Sequence, residues 1–383
     1  MAKAENHPTI SVEEIIRPTR VEVDLNCIRD NYIQVLKLVG NRKIMPVLKA
    51  NAYGHGLIKI AEFMQELKVD YLGVAVLEEG ILLRKRGIRL PILVLGGIWG
   101  NQIPLFIKYD LTMTASSIDK LMQIEQYAAS VDKVVKVHLK IDTGMERIGV
   151  HYYNADKFLE ETLKCRHVEV EGIYSHFANS ESTDLSYTRL QLERFLEVVS
   201  FYKKHSLPVP LRHIANSGAI LQLPDSYLDM VRPGIMIYGV YPSQEIKSSF
   251  ELKAALRWKS LVVYFKVIKP GHPVGYGSSW QSDIPVRAVT IPVGYGDGYF
   301  RSMSDKAKVI INGKKYPVIG KISMDQIVVN IGDDSAYNGD EVILLGSEGS
   351  ETISCEDLAE WAGTIPYEIL TNINTRVPRV YIR

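Results

Sequence analysis

Cysteine is scarce in this chain of 383 residues: Cys27, Cys165 and Cys355 are the only three, widely separated and odd in number. That excludes a disulfide framework and a Cys-x-x-Cys zinc site. The nine histidines form no His-x-x-x-His pair, and no bound metal is expected. An excess of one charge is missing too. The 45 Lys and Arg stand against 44 Asp and Glu without a sustained basic run, so the concentrated field used by nucleic-acid and anionic-membrane binders is lacking. A small molecule is the expected partner. The longest stretch free of charge, Leu90 to Ile107, is broken by Pro91, Gly96, Gly97, Gly100 and Pro104, which suits strand and loop rather than a membrane span. The N-terminal segment, with Glu5, Asn6, His7 and Pro8 followed by Glu13 and Glu14, lacks the apolar core of a secretory signal. A cytoplasmic location is expected.

What is present is ordinary globular composition, 46% hydrophobic and 23% charged, at a length that exceeds one hydrophobic core. Two domains follow. Between residues 43 and 240, eight short apolar runs alternate with helix-patterned segments: Lys43 to Ala50, Tyr71 to Leu77, Pro91 to Gly97, Leu111 to Ala115, Lys136 to Asp142, Val168 to Phe177, Leu211 to Asn216 and Met230 to Tyr238. Eight βα repeats in about 200 residues predict a (β/α)8 barrel, with a doubly wound sheet as the competing topology. One crossover helix is read from Leu190, Phe195, Leu196, Val199 and Tyr202. After residue 250 the pattern turns to alternation and hairpin signals, such as Asn312-Gly313 between two apolar runs, with one clear helix, Cys355 to Trp361, capped by Ser354 and ended by Gly363. The expected division is an α/β barrel over 14–250 and a β-rich domain over 251–383, with residues 1–13 packing against the latter.

Catalytic groups of such barrels stand at the C-terminal ends of the strands. Strand one delivers Lys49 ahead of a loop punctuated by Gly54 and Gly56. Partial burial would lower the pKa of Lys49 and free its amine to attack a carbonyl, although a strand-end Lys reaching solvent is the blander possibility. Strand five ends in Lys140 to Gly149, strand six in Ser175-His176-Phe177, strand seven in Ala215-Asn216-Ser217-Gly218, and strand eight begins Arg232-Pro233-Gly234-Ile235. Ser217 with the N–H groups of Gly234 and Ile235 would make a phosphate cradle in the loops after strands seven and eight.

These segments, in this order, resemble the alanine racemases, pyridoxal-phosphate enzymes built from a barrel and a β-rich domain. The likeness rests on Val47 to Gly56, His138 to Gly149, Ser175 to Phe177, Ala215 to Ser217, Val231 to Ile235, Gly275-Tyr276-Gly277, Gly294 to Gly298, Ser323 to Gln326 and Arg376 to Arg379, nearly the whole chain. The resemblance implies interconversion of L- and D-alanine by two-base proton transfer on a pyridoxal-phosphate aldimine. Lys49 would hold the cofactor and act as base on one face, and Tyr276 would act on the other. Racemisation needs two such groups, because a proton leaves one face of the α-carbon and another arrives on the opposite face. It also implies a homodimer in which the Tyr of one subunit covers the cofactor of the other, and in a bacterium a product that feeds the peptidoglycan of the cell wall.

By the same resemblance Arg232 faces the pyridine nitrogen and, as a group that donates but does not accept, keeps it unprotonated. His176 links Tyr276 to Arg232. Tyr53 and Tyr367 join Ser217, Gly234 and Ile235 around the phosphate, with Asn216 also at the cofactor. Arg147 and the backbone of Met324 receive the substrate carboxylate, Lys140 matches a Lys that carries a carbamate in relatives, and Tyr295 and Tyr367 match an inner gate. Glu146 stands where Gly is usual, and Gly275 and Trp280 also depart from the common pattern. Racemases of serine, lysine or arginine stay open. A pyridoxal-phosphate amino-acid decarboxylase is disfavoured by Arg232, a non-catalytic carrier of the cofactor by Tyr276 and the second domain, and a metal-dependent hydrolase by the lack of a convergent ligand set.

Overall fold

The computed structural model describes residues 17–246 and 251–383. It divides into two compact units, Cys27–Lys253 and a second that joins the described residues up to Asn26 to Ala254–Arg383. The expected packing of residues 1–13 lies outside the described residues.

Eight strands run in chain order around the barrel of the first unit: β1 (Lys43–Ile44), β2 (Leu72–Val74), β3 (Ile92–Val94), β4 (Met113–Ala115), β5 (Val135–Asp142), β6 (Val168–Tyr174), β7 (Leu211–His213) and β8 (Met230–Val231), and a further two-residue strand, Val150–His151, pairs beside the end of β5. Each of the eight falls on one of the apolar runs, β5 starting one residue ahead of its run. The ladders β2–β3, β4–β5, β5–β6 and β6–β7 are parallel. Parallel bridges Val47–Gly73 and Leu93–Thr112 carry β1 to β2 and β3 to β4. Arg232 N–H donates to Ala215 O at 2.9 Å, joining β7 to β8, and β8 pairs with β1. The sheet closes on itself, which excludes the doubly wound alternative. All of the eight strands but β5 are shorter than their runs. In the first run Pro46 lacks the N–H that a regular ladder needs, so β1 stops after two residues.

The crossover helix after β6 spans Ser186–Lys204. Phe195, Val199 and Tyr202 are buried as expected, but Leu190 and Leu196 are exposed, and the buried face is completed by Thr188, Gln191, Leu192 and Val198. Gln191 works as a polar strut: its amide donates to His176 O at 3.1 Å and its carbonyl accepts from Ala178 N–H at 2.9 Å, fixing the loop after β6.

The second unit is built on one sheet. Its strand order is Tyr264–Ile268, Val286–Ile291, Ile327–Gly332, Lys314–Ile319, Lys308–Ile311, Glu341–Glu348, Leu256–Leu261, Arg20–Asp24 and Arg379–Ile382, with Glu351–Ile353 beside Glu341–Glu348. Arg20–Asp24 lies inside the range expected for the barrel. It instead pairs antiparallel with Leu256–Leu261 and parallel with Arg379–Ile382, because only Val21 and Val23 alternate inward, the pattern of a sheet with one covered face. At the hairpin, Asn312 (φ 51°) and Gly313 (φ 71°) both take the left-handed conformation that an Asn-Gly turn supplies. Ser354 caps the helix Cys355–Ala362, one residue longer than expected, and Gly363 ends it at φ 75°. A further helix, Pro366–Asn372, was not anticipated. Pro366 reads as a breaker in sequence but is well suited to a first helical turn, where its missing N–H costs nothing. Among the described residues no helix is long and apolar enough to cross a membrane.

Candidate active site

Lys49 opens the least expected local structure in the barrel. Ala50, Asn51, Ala52 and Tyr53 follow it with φ between 51° and 56°, a turn of left-handed helix made without glycine. Left-handed geometry costs L-residues roughly 1–2 kcal/mol each, so four in a row need external support. It comes from Glu79 Oε1, which accepts Ala50 N–H at 2.7 Å, and from Asn51 Oδ1, which accepts Leu57 N–H at 2.8 Å. Such strain at a strand end is characteristic of a functional site. Lys49 opens to solvent at the barrel mouth, yet desolvation by the surrounding protein, then Arg147 and Arg232, pull its pKa below the ordinary lysine value against the opposing carboxylate of Glu79.

Arg232, buried at the end of β8, donates from Nη2 to Ser175 O at 2.7 Å and Ile214 O at 3.1 Å. Nη2 also approaches His176 Nδ1 at 3.3 Å, and Nη1 stands 2.8 Å from His213 Nδ1. Desolvation lowers its pKa to about 10, which leaves it a cation at neutral pH. Desolvation, Arg232, Lys140, Arg147 and Lys49 hold His176 well below the ordinary histidine value, so the ring is neutral. Because a guanidinium only donates, Nδ1 of His176 accepts and its proton lies on Nε2.

Lys140 is buried on β5 with Nζ 5.0 Å from the Tyr174 ring centroid. Desolvation and the nearby Arg232 lower its pKa to about 7 despite Asp142. Asp142 organises the following loop. Its Oδ1 accepts N–H from Gly144, Met145 and Glu146 at 2.8, 2.9 and 3.2 Å, and its Oδ2 accepts N–H from Arg147 at 3.2 Å. Desolvation opposes the charge, but these four donors outweigh it and hold the carboxyl below its ordinary value. Glu146, in the position noted as unusual, sits at φ 52° and reaches His151 Nε2 at 2.9 Å.

Behind β7 and β8, Ser217 Oγ accepts Gly234 N–H at 2.9 Å, and Asn216 caps the short helix Ser217–Gln222. A Cβ on Gly234 would meet Tyr53 Oη at 2.6 Å, so the glycine is what lets the phenol, the Ser217 hydroxyl and the backbone before Ile235 converge. Burial, with Glu181 and Glu79 nearby, pushes the Tyr53 phenol up and keeps it protonated.

The remaining named residues stand in the second unit. Tyr276 begins a single 3-10 turn between Gly275 (φ 71°) and Gly277 (φ 72°) and is 71% exposed. The Tyr295 and Met324 loops are zipped together: Tyr295 N–H donates to Ser323 O at 3.0 Å and Gly296 N–H to Met324 O at 2.9 Å. Buried Asp297 anchors them through Arg17 at 2.7 Å and Arg376 at 2.8 Å. A Cβ on Gly294 would lie 2.2 Å from Ser323 O, which forbids any other residue there. Tyr367 is half-buried on the helix Pro366–Asn372.

The barrel thus brings together Lys49, Tyr53, Lys140, Arg147, His176, Asn216, Ser217, Arg232, Gly234 and Ile235. Glu79, Asp142, Gln191 and His213, which position them, were not read from the sequence. The period-two spacing of Lys136, His138, Lys140 and Asp142 on β5 was the available signal, since polar residues every second position of a barrel strand line its interior.

Comparison with known proteins gives two family matches: the alanine racemase N-terminal domain over residues 23–242 and the C-terminal domain over 255–381. The chain is 41% identical over 371 residues to an alanine racemase of Halothermothrix orenii, covering 96% of this chain and 98% of that one. It is 42% identical over 369 residues to one of Carboxydothermus hydrogenoformans, covering 96% and 100%. Among solved structures, an alanine racemase of Clostridium difficile superposes with a TM-score of 0.90 at 38% identity, covering 96% of each chain.

Proposed function

Since this chain belongs to the alanine racemase family, we propose that it interconverts L- and D-alanine, with Lys49 and Tyr276 moving the α-proton on opposite faces. The family depends on pyridoxal phosphate, and the residues fit that group: an amine of lowered pKa for its aldehyde, a cationic donor in Arg232 for its ring nitrogen, and a cradle at Gly234 that a Cβ would fill. When bound, the cofactor supplies an electron-withdrawing ring that acidifies the α-hydrogen.

In this reading Tyr53, Asn216, Ser217, Gly234, Ile235 and Tyr367 hold the phosphate end. Arg232 donates to the ring nitrogen without giving up a proton, which limits side reactions. His176 offers its Nε2 proton to the Tyr276 oxygen and so eases loss of the phenolic proton. Arg147 and the Met324 backbone receive the substrate carboxylate, and the rings of Tyr295 and Tyr367 at the entrance favour a small side chain. Lys140, with a pKa of about 7, has an amine free to take up carbon dioxide as a carbamate, an anion that would steady Arg147.

We take the working form to be a homodimer in which Tyr276 of one subunit reaches the barrel of the other. Support lies in the exposure of Tyr276, Met324 and Tyr295, and in the edge strand Tyr264–Ile268, where Tyr264, Phe265 and Val267 are all exposed. The scarcity of cysteine suits the cytoplasm, where D-alanine would serve as a cell-wall precursor.

The observation that carries the reading is the convergence of Lys49, Arg147, His176 and Arg232 with the Tyr53–Ser217–Gly234 cradle at one barrel mouth. The experiment is a racemisation assay with added cofactor over alanine, serine, lysine and arginine. Alanine should be turned over fastest in both directions; no racemisation of any of the four by cofactor-loaded protein would sink the proposal.

A further inference from the structure

The barrel interior holds a row of polar groups that the proton transfers leave unused. Arg232 Nη1 lies 2.8 Å from His213 Nδ1, His213 Nε2 lies 2.8 Å from His138 Nδ1, and His138 Nε2 lies 3.3 Å from Glu171 Oε2. Glu171 also accepts from the Tyr71 hydroxyl, and from Lys136 Nζ at 2.7 Å. Both histidines are fully buried, and the Glu171 side chain is 14% exposed.

The direction of every bond in the row follows from the first. A guanidinium only donates, so His213 Nδ1 accepts, and the single proton of the neutral ring lies on Nε2. That proton is given to His138 Nδ1, which fixes the proton of His138 on Nε2, aimed at Glu171. Desolvation pushes both imidazoles below the ordinary histidine value, well below for His213, which keeps them neutral at pH 7. Two oriented neutral rings therefore connect a buried cation to a carboxylate, and the bonds at both ends are charge-assisted. The barrel is shaped around the row. A Cβ on Gly172 would sit 2.5 Å from His138 Nδ1, and the Tyr174 ring stacks on His213 at 4.9 Å and 5°.

We propose that Glu171 is a positioning residue for this site, holding the Arg232 guanidinium in place and in orientation through His138 and His213. The inference rests on the reading that Arg232 faces the cofactor's ring nitrogen. With a neutral group at the far end, each donation along the row weakens, Arg232 Nη1 is held less firmly, and the donor offered to the ring nitrogen loses its fixed direction. Glu171 touches neither substrate nor cofactor and acts only through the row.

The test begins on histidine-labelled protein without cofactor, using long-range 1H–15N NMR. His138 and His213 should both be neutral, with a bare Nδ1 and a protonated Nε2, and the His138 Nε2 proton should be far downfield and slow to exchange. Glu171→Gln should move that proton upfield and speed its exchange. Tyr71→Phe, which removes a competing donor from Glu171, should move it further downfield, and this variant carries the test should Glu171→Gln fail to fold. A packing role alone gives no such opposite pair of shifts. In the cofactor-loaded enzyme, Glu171→Gln should lower kcat about 10-fold to 100-fold, the range for groups that orient a ligating residue, and shift the visible absorbance, with partial rescue by Glu171→Asp. A protonated Nδ1 on either ring, or shifts of the same sign in both variants, would overturn the proposal. So would an unchanged Glu171→Gln holoenzyme. In that case Arg232→Lys separates the two failures: an altered spectrum leaves the reading of Arg232 standing, and an unaltered one removes both.

Discussion

Arg232 at the barrel mouth is 3% exposed, whereas Tyr276 in the β-rich unit is 71% exposed. The same contrast runs through the neighbours of each. Around Arg232 stand buried carbonyls, two neutral imidazoles and a Tyr ring, all in contact; around Tyr276 stand two glycines of positive φ and solvent. The barrel therefore holds Arg232 and its imidazole neighbours buried and hydrogen-bonded, the condition for electrostatic preorganisation, beside a Lys49 that opens to solvent. The β-rich unit brings Tyr276, Tyr295 and Met324 with their side chains exposed. The proposed pair of bases on one carbon would draw on both regions, and under that proposal the exposed one would need to be covered on assembly.

The sharpest way to break the contrast is at the prearranged half. If Lys49 has the proposed roles, Lys49→Ala removes both the covalent tie to the cofactor and one base, so the loss of racemisation should exceed the roughly 10⁴-fold ceiling of a single general base. The protein should also lose the visible absorbance of the tied cofactor and resist borohydride trapping. Label found on another lysine after borohydride treatment of the wild type would refute the assignment.

At the exposed half the expected loss is smaller. Tyr276→Phe should slow the reaction by about 10²-fold to 10⁴-fold, with the primary isotope effect changed chiefly in one direction of turnover. Mixing inactive Lys49→Ala and Tyr276→Phe proteins under subunit exchange should restore one site per mixed dimer. No recovery despite demonstrated exchange would mean that each chain completes its own site.

Asp142 tests whether the loop bearing Arg147 belongs with the prearranged half. Asp142→Asn replaces charge-assisted bonds by neutral ones and should cost about 1–2 kcal/mol of stability, raising KM for alanine more than it lowers kcat. The pH dependence has a definite sign. The folded carboxyl titrates below its unfolded value near 3.9, so its contribution is complete above about pH 4 and is lost as pH falls through the folded pKa. Denaturation curves of wild type and variant should therefore differ at pH 7 and converge under acid; a constant gap across that range would contradict the assignment.

The same contrast bears on what could be read in the amino-acid order. Strand positions and the Asn312-Gly313 turn were legible because burial and turn chemistry write themselves at short range. Lys49, Arg147 and Arg232 stood out as strand-end residues, but their roles came with the family likeness. The left-handed turn after Lys49 was not legible, since Ala50, Asn51, Ala52 and Tyr53 carry no glycine and the supports at Glu79 and Leu57 are set by tertiary packing. The row from Arg232 to Glu171 was hidden for a related reason: its members come from four different strands, and only closure of the barrel brings them into contact. Arg20–Asp24 was assigned to the wrong domain because its partners, Leu256–Leu261 and Arg379–Ile382, lie far along the chain.

Glu146 sharpens the comparison with the smallest expected effect. It occupies a left-handed position, φ 52°, within a loop otherwise held by Asp142, and its side chain is 67% exposed in the pair with His151. Exposed pairs of this kind are worth little, so the pair does not offset the backbone cost of a non-glycine residue there. Glu146→Gly relieves roughly 1–2 kcal/mol of conformational cost and gives back about 0.4–1 kcal/mol through the greater freedom of glycine in the unfolded chain. The net expectation is a gain of about 0.5–1 kcal/mol, read as a higher midpoint in denaturant. The same change removes a negative charge beside Arg147, so KM for alanine should fall, by no more than about threefold because the charge is solvated, and the difference should shrink with added salt. A lower midpoint for Glu146→Gly would mean that the His151 contact, rather than the four N–H donations to Asp142, holds the loop, and Arg147 would then stand on a surface pair instead of a buried carboxylate.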